Sequence, residues 1–563
     1  MKSRRIGLVL LSAVMALSLS CSAKGSGNGK STEGKPDSPR LTIFFTGELK
    51  GTIEPCGCTT DPLGDLARTT RLIESTRKGG PVLHIDAGSL LYTHNPIPPD
   101  LARQEKLKAD LLVDVFEKRL NPAAIGLGPF DLSKGPKGVR LTRMAANVPA
   151  STGVPLEPPK VVESGGVKVG LFGVVSPAAV QPFGVEAKPP GPAASKAAAE
   201  LRKSGADLVV GIAHMTKAEA RTLARELKGV DVLVVGQKLP DKAERVSVAP
   251  DRVGDTWLVM PADRGQVVTR LDITMRGEGP LQDAIGKARA DDQLAKLEGE
   301  LKDLGARLEA WDKDKSADQA FVAQKRKELD ELQRRKQALA ESPLKVPASG
   351  PYFVMEQVRI RKKLACDAKI VAKKRAFDQA AGKANLEAAK DDKPVPPGKG
   401  EAGYVGTEEC SYCHASEVKF WKKTRHAQAW KTLVDGGKEY NRDCVYCHVT
   451  GFGKKGGSTL AFTEGLQDIQ CETCHGPGSL HVEADGNDEP RTIRRTPEER
   501  LCKTCHNEEH SNTFQFEAYL RDVTGSGHAP DFRKKLGDGP TGHELRSAGL
   551  EAAGKDIGEG CPK

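Results

Sequence analysis

The sequence predicts a multidomain protein with a layered α/β domain, a helical hairpin and a mainly α-helical C-terminal region that has little regular structure. Strand-like and helix-like segments alternate over residues 41–275, which is typical of a layered α/β domain. Leucines recur at heptad spacing over residues 282–345, and cysteine and histidine concentrate beyond residue 403. A chain of 563 residues is also too long for one ordinary domain.

Residues 1–21 predict a targeting segment. Basic side chains precede an apolar core over residues 6–19, which is too short to cross a bilayer as a stop-transfer helix. The segment resembles a bacterial lipoprotein signal, which implies that Cys21 is lipidated and anchors the protein to a membrane; plain secretion is the alternative. The location is therefore expected to be extracytoplasmic, in the periplasm or at the outer membrane, and Ser22 favours the outer membrane by the same resemblance. The polar residues 22–40 are expected to form a flexible tether.

Alternating strands and helices are predicted within residues 41–275. The strand candidates read LTIFF, PVLHID, VKVGLFGVV, ADLVVGIAH and VDVLVVG. The helix candidates between them read DLARTTRLIESTRK, QEKLKADLLVDVFEKR and PAASKAAAELRKS.

Residues 282–345 predict an antiparallel coiled-coil hairpin. The segment DKDKSADQ interrupts two apolar seams, each about three heptads long. The first seam contains Leu294, Leu297, Leu301, Leu304, Leu308 and Trp311, and the second contains Val322, Leu329, Leu332 and Leu339. A spacer or packing arm is the expected role, and dimerisation is the alternative.

The rest of the chain divides by composition. Residues 346–391 predict one strand and one helix, and the Pro-, Gly- and Lys-rich residues 392–403 predict a linker. Nine of the twelve histidines and nine of the thirteen cysteines follow that linker. Residues 404–530 are therefore expected to form a separate domain, and the Gly- and Lys-rich residues 531–563 a flexible tail.

Four C-x-x-C-H motifs occur in residues 410–506, and each is a c-type haem attachment signature. Two thiols bond the haem, and the adjacent histidine becomes the proximal ligand of its iron. The motif cysteines are Cys410, Cys413, Cys444, Cys447, Cys471, Cys474, Cys502 and Cys505. The proximal histidines are His414, His448, His475 and His506. One motif alone would also suit a redox dithiol, and zinc knuckles use C-x-x-C, but neither needs the histidine every time. The sequence predicts four haem c groups.

The segments around these motifs resemble the tetrahaem cytochrome c-554 family over about residues 404–530. They read YVGTEECSYCH, WKKTRHAQAW, DCVYCHVTGFG, QCETCHGPGSLH, and LCKTCH with a later GH. The resemblance implies closely stacked haems that pass electrons in sequence. It also implies distal ligands at three positions, His426, His481 and His528. The haem of His448 is then left with an open or weakly held face, while His510 and His543 are expected at the surface.

Electron transfer with redox partner proteins is the expected function. Reduction of a small nitrogen or oxygen species at an open haem is one alternative, and a partner-binding module is another. The net charge of +10 fits either a solvated basic surface or docking to an acidic redox partner or an anionic membrane. No basic stripe is interleaved with aromatic residues, so nucleic acid is not an expected partner.

Residues 41–275 also resemble the 5′-nucleotidase-like metallophosphatases in the order of segments such as LTIFFTGELKG, VLHIDAGSLL, GVKVGLFGVVSP and GADLVVGIAHM. Such enzymes bind two divalent metals through Asp, His and Asn side chains at strand ends. The matching positions hold Glu48, Lys50, Ser89, the stretch 126–131 without Asn or His, His214, and the stretch 236–239 without His. A Lys ammonium at a ligand position repels a cation. We therefore expect a degenerate domain, and a true phosphohydrolase is disfavoured.

Four cysteines remain outside the lipid and haem assignments. Cys56 and Cys58 form a C-x-C pair that is too tight for an easy internal disulfide. Disulfides from this pair to Cys366 or Cys561 are therefore possible. Structural pairing or burial is the expected role. A thiol site at the cleft where the phosphatase metals would bind is the alternative.

Overall fold

The protein is described by a computed structural model. The described residues are 38–55, 59–236, 250–261, 263–284, 287–313, 319–341, 346–488, 491–507, 510–525, 527–528, 530–553 and 561. The predicted signal, the lipidation residue Cys21, nearly all of the tether, and the pair Cys56 and Cys58 lie outside these residues.

Two six-stranded sheets form the α/β part of the chain. The strands are β1 (Arg40–Thr46), β2 (Val82–Asp86), β3 (Ala124–Ile125), β4 (Lys160–Ser164), β5 (Val167–Val175), β6 (Leu208–His214), β7 (Val232–Gly236), β8 (Asp251–Val253), β9 (Thr256–Val259), β10 (Val267–Thr274), β11 (Gln282–Asp283) and β12 (Tyr352–Arg359). The first sheet has the order β11-β12-β10-β1-β2-β3 and the second the order β4-β5-β6-β7-β9-β8. The strands predicted from the sequence correspond to β1, β2, β5, β6 and β7, and the α/β fold class is confirmed.

The helices of the α/β part cover the sheets and the connections between them. They are α1 (Leu66–Arg77), α2 (Ala102–Val115), α3 (Pro177–Val180), α4 (Pro190–Lys203) and α5 (Lys217–Glu226). Local sequence fixes where they begin: the Asp65 side chain accepts hydrogen bonds from the first turn of α1, and Thr216 and Glu219 form a capping box on α5. A short π-helix, Phe116–Leu120, continues α2.

Apolar side chains of both sheets pack together in one cluster, which includes Ile43, Phe45, Leu171 and Ile212. The strands are apolar on both faces, as expected for sheets that are covered on both sides. This packing places the ends of β1, β2 and β6 close to one another, and the predicted phosphatase-like residues lie at these ends.

The α/β part extends beyond residue 275, which was the predicted boundary. Strand β12 pairs with β10 along eight residues, and α8 (Ala368–Ala389) packs against α1 and α2 in an apolar cluster that includes Ile370 and Phe377. The segment 346–391 therefore belongs to this part of the fold. The sequence did not indicate this pairing because the whole helical hairpin separates the two strands in the chain.

Residues between β11 and β12 contain the predicted helical hairpin. Its helices are α6 (Lys287–Lys313) and α7 (Gln319–Glu341). The seam residues Leu297, Leu304, Leu308, Val322 and Leu332 are buried between them. Lys336 pairs with Glu298, and the rings of Trp311 and Phe321 meet edge to face near the connection, so the two helices run antiparallel.

Short helices and loops make up the C-terminal region. They are α9 (Thr407–Ser411), α10 (Ala415–Trp421), α11 (Ala429–Gly436), α12 (Arg442–Val445), α13 (Cys471–His475), α14 (Ser479–Glu483), α15 (Glu499–Cys502), α16 (Phe516–Val523), α17 (Pro530–Lys535) and α18 (Gly542–Ala553). The prediction of a mainly α-helical region with little regular structure is confirmed. Within the described part of the chain, no helix is long and apolar enough to cross a membrane.

Residues 531–563 are predicted to form a flexible tail, and the described residues among them, 531–553 and 561, contain helices and a disulfide instead. Helices α17 and α18 form there, α18 packs against α16, and Cys561 forms a disulfide with Cys366. The Gly and Lys content of these residues did not indicate the disulfide, which links the end of the chain to the α/β part.

Candidate functional site

The four C-x-x-C-H motifs lie on short helices. The first cysteine of each motif is within α9, α12, α13 or α15. The backbone N–H of His414 donates to the carbonyl of Cys410 at 2.9 Å, and the N–H of His506 donates to that of Cys502 at 2.8 Å. One helical turn therefore brings both cysteines of a motif and the following histidine to the same side.

Thiols of different motifs influence each other's pKa. Interaction with Cys410 of the first motif lowers the pKa of Cys471 of the third to about 7, and the same interaction raises that of Cys410. Interaction with Cys447 of the second motif lowers the pKa of Cys505 of the fourth to about 7. The attachment points therefore lie in two close pairs, first with third and second with fourth.

An electrostatic effect also links the third and fourth motifs. Burial and then the neighbouring charge of Cys502 raise the pKa of Cys474 to about 12. Cys474 belongs to the third motif and Cys502 to the fourth, so these two motifs also lie near each other.

Hydrogen bonds set the proton positions of two proximal histidines. Nδ1 of His448 donates to the carbonyl of Ala429 at 2.5 Å, and Nδ1 of His475 donates to the carbonyl of Arg494 at 2.7 Å. A carbonyl only accepts, so the proton is on Nδ1 and the lone pair is on Nε2. This is the form in which a histidine binds a metal while its other nitrogen holds the ring in place. Both residues fit a haem iron.

His426 and His506 face each other with ring centroids 6.0 Å apart. Two imidazoles on opposite sides of one metal ion need about 6 Å, since each metal–nitrogen bond is about 2 Å long and each ring adds about 1 Å. Burial lowers the pKa of His426, and burial and then the charge of His426 lower the pKa of His506 to about 4. Both shifts favour the neutral ring, which is the form that binds a metal ion. The two rings are close enough to bind one metal ion between them.

The other two predicted distal histidines lie apart from this pair. Nδ1 of His481 hydrogen-bonds Oδ1 of Asp488 at 2.9 Å, which directs Nε2 away from the carboxylate. His528 stacks edge to face on Phe420, and the neighbouring charge of His475 contributes to lowering its pKa after the effect of burial. Its Nδ1 accepts from the Gly525 N–H at 3.3 Å. Asp488 could not be recognised from the sequence because it follows its partner by seven residues and has no motif around it.

Three more histidines complete the description of this region. His414 is exposed, and its charge acts on Glu417. His543 is exposed, as predicted for a surface residue. His510 is half-buried, and its charge lowers the pKa of His448 after the effect of burial, so it lies closer to the second motif than the sequence suggested.

The C-terminal region also exposes apolar surface that a haem would cover. Among the described residues, its apolar cluster contains three buried side chains, Val445, Val449 and Leu460, which pack with Ala389 of α8. Large apolar or aromatic side chains are exposed nearby, namely Tyr412, Val434, Tyr446, Phe462 and Val482. Tyr412 and Tyr446 lie inside C-x-x-C-H motifs. A polypeptide with so small a core fits a domain that is completed by bound haem.

Residues at the ends of β1 and β6 hold the positions that the sequence resemblance matched to phosphatase metal ligands. Nε2 of His214 lies 2.6 Å from Oε1 of Glu48, and Nζ of Lys50 lies 2.9 Å from Oε2 of the same carboxylate. Burial favours the neutral acid, but the hydrogen bond and charge of His214 and the charge of Lys50 outweigh it and lower the pKa of Glu48 to about 2. All three side chains are buried. The ammonium of Lys50 therefore supplies the positive charge that a cation would supply.

A second ion pair fills the adjacent position. The Asp131 carboxylate accepts from the backbone N–H groups of Ser89 and Leu90 at 3.0 and 2.9 Å, and from Arg143 at 3.0 Å. Asp131 and Arg143 are fully buried. Among the described residues, no group of His, Cys, Asp and Glu side chains is arranged to hold a metal ion. The residues present do not fit a two-metal centre.

Ser89, His214 and Glu48 do not form a catalytic triad. The Ser89 hydroxyl lies 3.1 Å from Nε2 of His214, and Glu48 contacts that same nitrogen. A triad requires the acid on the opposite ring nitrogen. The cluster is consistent with the expectation that His214 is a hydrogen-bonded residue at a strand end.

Cys366 and Cys561 form a disulfide with each other. Neither residue is available to Cys56 or Cys58, so the proposed bridges to them are wrong. Cys56 and Cys58 themselves lie outside the described residues.

Comparison with known proteins identifies the C-terminal region. Residues 409–476 match the family model for cytochrome c554 and c-prime. Cytochrome c-554 of Nitrosomonas europaea is 39% identical over 94 residues, which are 14% of this chain and 40% of that protein. The chain thus spans less than half of this relative. The predicted resemblance to the cytochrome c-554 family is confirmed for this region.

Solved structures are similar to the α/β part. The 5′-nucleotidase precursor from Thermus thermophilus is 21% identical with a TM-score of 0.40, over 64% of this chain and 61% of that chain. The calcineurin-like phosphoesterase YfkN from Bacillus subtilis is 21% identical with a TM-score of 0.35, over 43% of this chain and 86% of that chain.

Proposed function

We propose that this chain is an extracytoplasmic multihaem cytochrome that transfers electrons through four covalently bound haems. The observation that carries the proposal is the set of four C-x-x-C-H motifs on short helices, three of which lie within the residues that match the cytochrome c554 family model. The thiol of Cys410 influences the pKa of Cys471, and that of Cys447 the pKa of Cys505, so the motifs of each pair lie near each other. Haems that are bonded at adjacent points lie close enough to exchange electrons.

The chain's residues hold the haems and keep their ligands in the binding form. A bound haem iron changes between the ferric and ferrous states and so accepts and releases one electron. The backbone carbonyls of Ala429 and Arg494 keep the proton of His448 and His475 on Nδ1. His426 and His506 provide a pair of half-buried ligands whose pKa values are lowered, which favours the neutral, metal-binding form.

The location and partners follow from the sequence. A lipid anchor at Cys21 would hold the protein at a membrane, and haem attachment takes place outside the cytoplasm. The net charge of +10 would favour an acidic redox partner. The α/β part would then act as a scaffold or docking module, because ion pairs occupy the positions at which phosphatases bind metal.

A second candidate function is the reduction of a small nitrogen or oxygen species at the haem of His448. The three predicted distal histidines lie at other places, by His506, Asp488 and His475. A haem without a strong sixth ligand can bind such a molecule. Exposure of the reduced protein to nitric oxide tests this function: a nitrosyl spectrum at one haem of four supports it, and unchanged spectra contradict it.

A potentiometric titration of the purified, haem-loaded protein tests the main proposal. Reversible reduction and oxidation of all the bound haem would support electron transfer. Haem that is bound but does not exchange electrons reversibly with mediators would contradict it.

A further inference from the structure

We propose that the α/β part of the chain sets the reduction potential of the haem attached at Cys444 and Cys447, with Lys108 as the positioning residue that supplies the charge. This inference rests on the proposed function, since it requires a bound haem at the second motif. It gives the α/β part a role that needs no hydrolytic site.

A buried polar network joins α2 and α8 to the segment that precedes the second motif. Nε2 of Gln104 donates to Oδ2 of Asp443 at 2.8 Å, and Oε1 of Gln104 accepts from the backbone N–H of Arg442 at 3.1 Å. Nδ2 of Asn385 donates both to Oε1 of Gln104 at 2.7 Å and to the carbonyl of Tyr440 at 2.9 Å. Gln104 is fully buried and Asn385 nearly so. Polar side chains buried in this way hold the segment in one register.

Lys108 is the charged centre of this network. Its Nζ lies 3.1 Å from Oδ2 of Asp443, 3.0 Å from Oε1 of Glu105 and 2.9 Å from the hydroxyl of Thr93. Burial would lower the pKa of Lys108, but the charges of Asp443 and Glu105 outweigh it and raise the pKa. The ammonium is therefore charged, and it is held within hydrogen-bonding distance of the residue directly before Cys444.

Further ion pairs keep the same surfaces together. Lys438 pairs with Glu54 and lies 3.6 Å from Asp378, and Arg442 pairs with Asp100 at 3.2 Å. Each pair joins a residue of the C-terminal region to a residue of the α/β part, to which α8 belongs. The second motif is thus fixed to the α/β part through several independent contacts.

The sign of the effect follows from Coulomb's law. A positive charge near a haem stabilises the ferrous state, and a negative charge stabilises the ferric state. Asp443 next to Cys444 would lower the potential of this haem, and Lys108 compensates that charge. The geometry therefore assigns to Lys108 a specific influence on one haem of the four.

The experiment is a spectroelectrochemical titration of the full-length haem-loaded protein and of three variants. In Lys108→Met, the reduction potential of one of the four haem components is expected to fall by up to about 59 mV. For one electron, this shift is about a tenfold change in the equilibrium constant for reduction. Asp443→Asn is expected to shift the same component to higher potential. The double variant is expected to lie near the wild-type value, because both charges are removed together.

Lys106→Met is the matched control, since it removes the same charge from the same helix. Lys106 is exposed and pairs with Asp110 rather than with the C-terminal region. A shift in Lys106→Met equal to that in Lys108→Met would overturn the inference, as would unchanged potentials in Lys108→Met and Asp443→Asn. If Lys108→Met does not fold, the potentials of Asp443→Asn and Lys106→Met still test the inference. Haem content is measured first, so that a missing second haem contradicts the proposed function rather than this inference.

Discussion

The ammonium of Lys50 lies 2.9 Å from the carboxylate of Glu48 at the ends of strands where metallophosphatases bind their metals. His214 engages the other oxygen of that carboxylate, so both oxygens are occupied by groups of the protein itself. An intramolecular ion pair therefore occupies these strand ends. The α/β fold is combined in one chain with a region that resembles cytochrome c-554.

We predict that manganese does not stabilise the α/β part. A metal that binds only the folded protein raises the melting temperature progressively once its free concentration exceeds its dissociation constant. The melting temperature of the wild type is expected to be the same with Mn²⁺ as with a chelator, and His214→Ala is the control. A saturable increase that His214→Ala removes would contradict the account.

Glu48 is expected to make stability depend on pH in the acid range. Its pKa is lowered in the fold to about 2 from the ordinary value of 4.5, so its contribution is fully present above pH 4.5 and is lost as the pH falls toward 2. The full contribution is about 3 kcal/mol, from 1.36 kcal/mol per pKa unit. Chemical unfolding between pH 6 and pH 3 is expected to show a shallower loss of stability in Glu48→Gln than in the wild type. Equal slopes in the two proteins would refute this prediction.

Arg143 is expected to be important for the stability of the α/β part. Its guanidinium and the Asp131 carboxylate are fully buried, and the carboxylate would lose its charge partner in Arg143→Met. Breaking a buried ion pair costs about 3–5 kcal/mol. Arg140→Met is the control, because Arg140 and its partner Asp110 are both exposed. Similar denaturation midpoints for the two variants would show that the buried pair has no special role.

Replacing His426 is expected to change the spin state of one haem. The ring centroids of His426 and His506 are 6.0 Å apart, and if the two residues are the proposed axial ligands, His426→Ala removes one of them. Electron paramagnetic resonance of the oxidised variant is expected to show a new high-spin signal equivalent to one haem per chain. His543→Ala changes an exposed histidine and is expected to leave the spectrum unaltered. Identical spectra for His426→Ala and the wild type would exclude the pairing.

Local patterns predicted most of the α/β elements. Strands β5 and β6 were found because their apolar runs are long and are bounded by turn residues. The pairing of β12 with β10 was missed, since a pairing between distant segments has no local signature. The disulfide of Cys366 was missed for the same reason, as sequence alone does not give connectivity.

In the C-terminal region as well, local motifs could be predicted from the sequence, but contacts between distant segments could not. The spacing within each C-x-x-C-H motif defined the attachment residues. The tertiary fold determines which motifs are neighbours, so the proximity of Cys410 and Cys471 could not be predicted from their order in the chain. Nor could the polar network of Gln104 and Lys108, because buried polar residues on an amphipathic helix resemble ordinary surface residues until their partner is known.

The most direct test of the central claim is a count of covalently bound haem in the purified full-length protein. Intact mass under denaturing conditions, combined with the optical spectrum of the pyridine complex, gives the number of haem c groups per chain. The account predicts four, with the loss of one group when both cysteines of a single motif are replaced. The absence of covalent haem from the denatured protein would contradict the account. Fewer than four covalent haem groups per chain, in protein whose haem attachment is complete, would also contradict it.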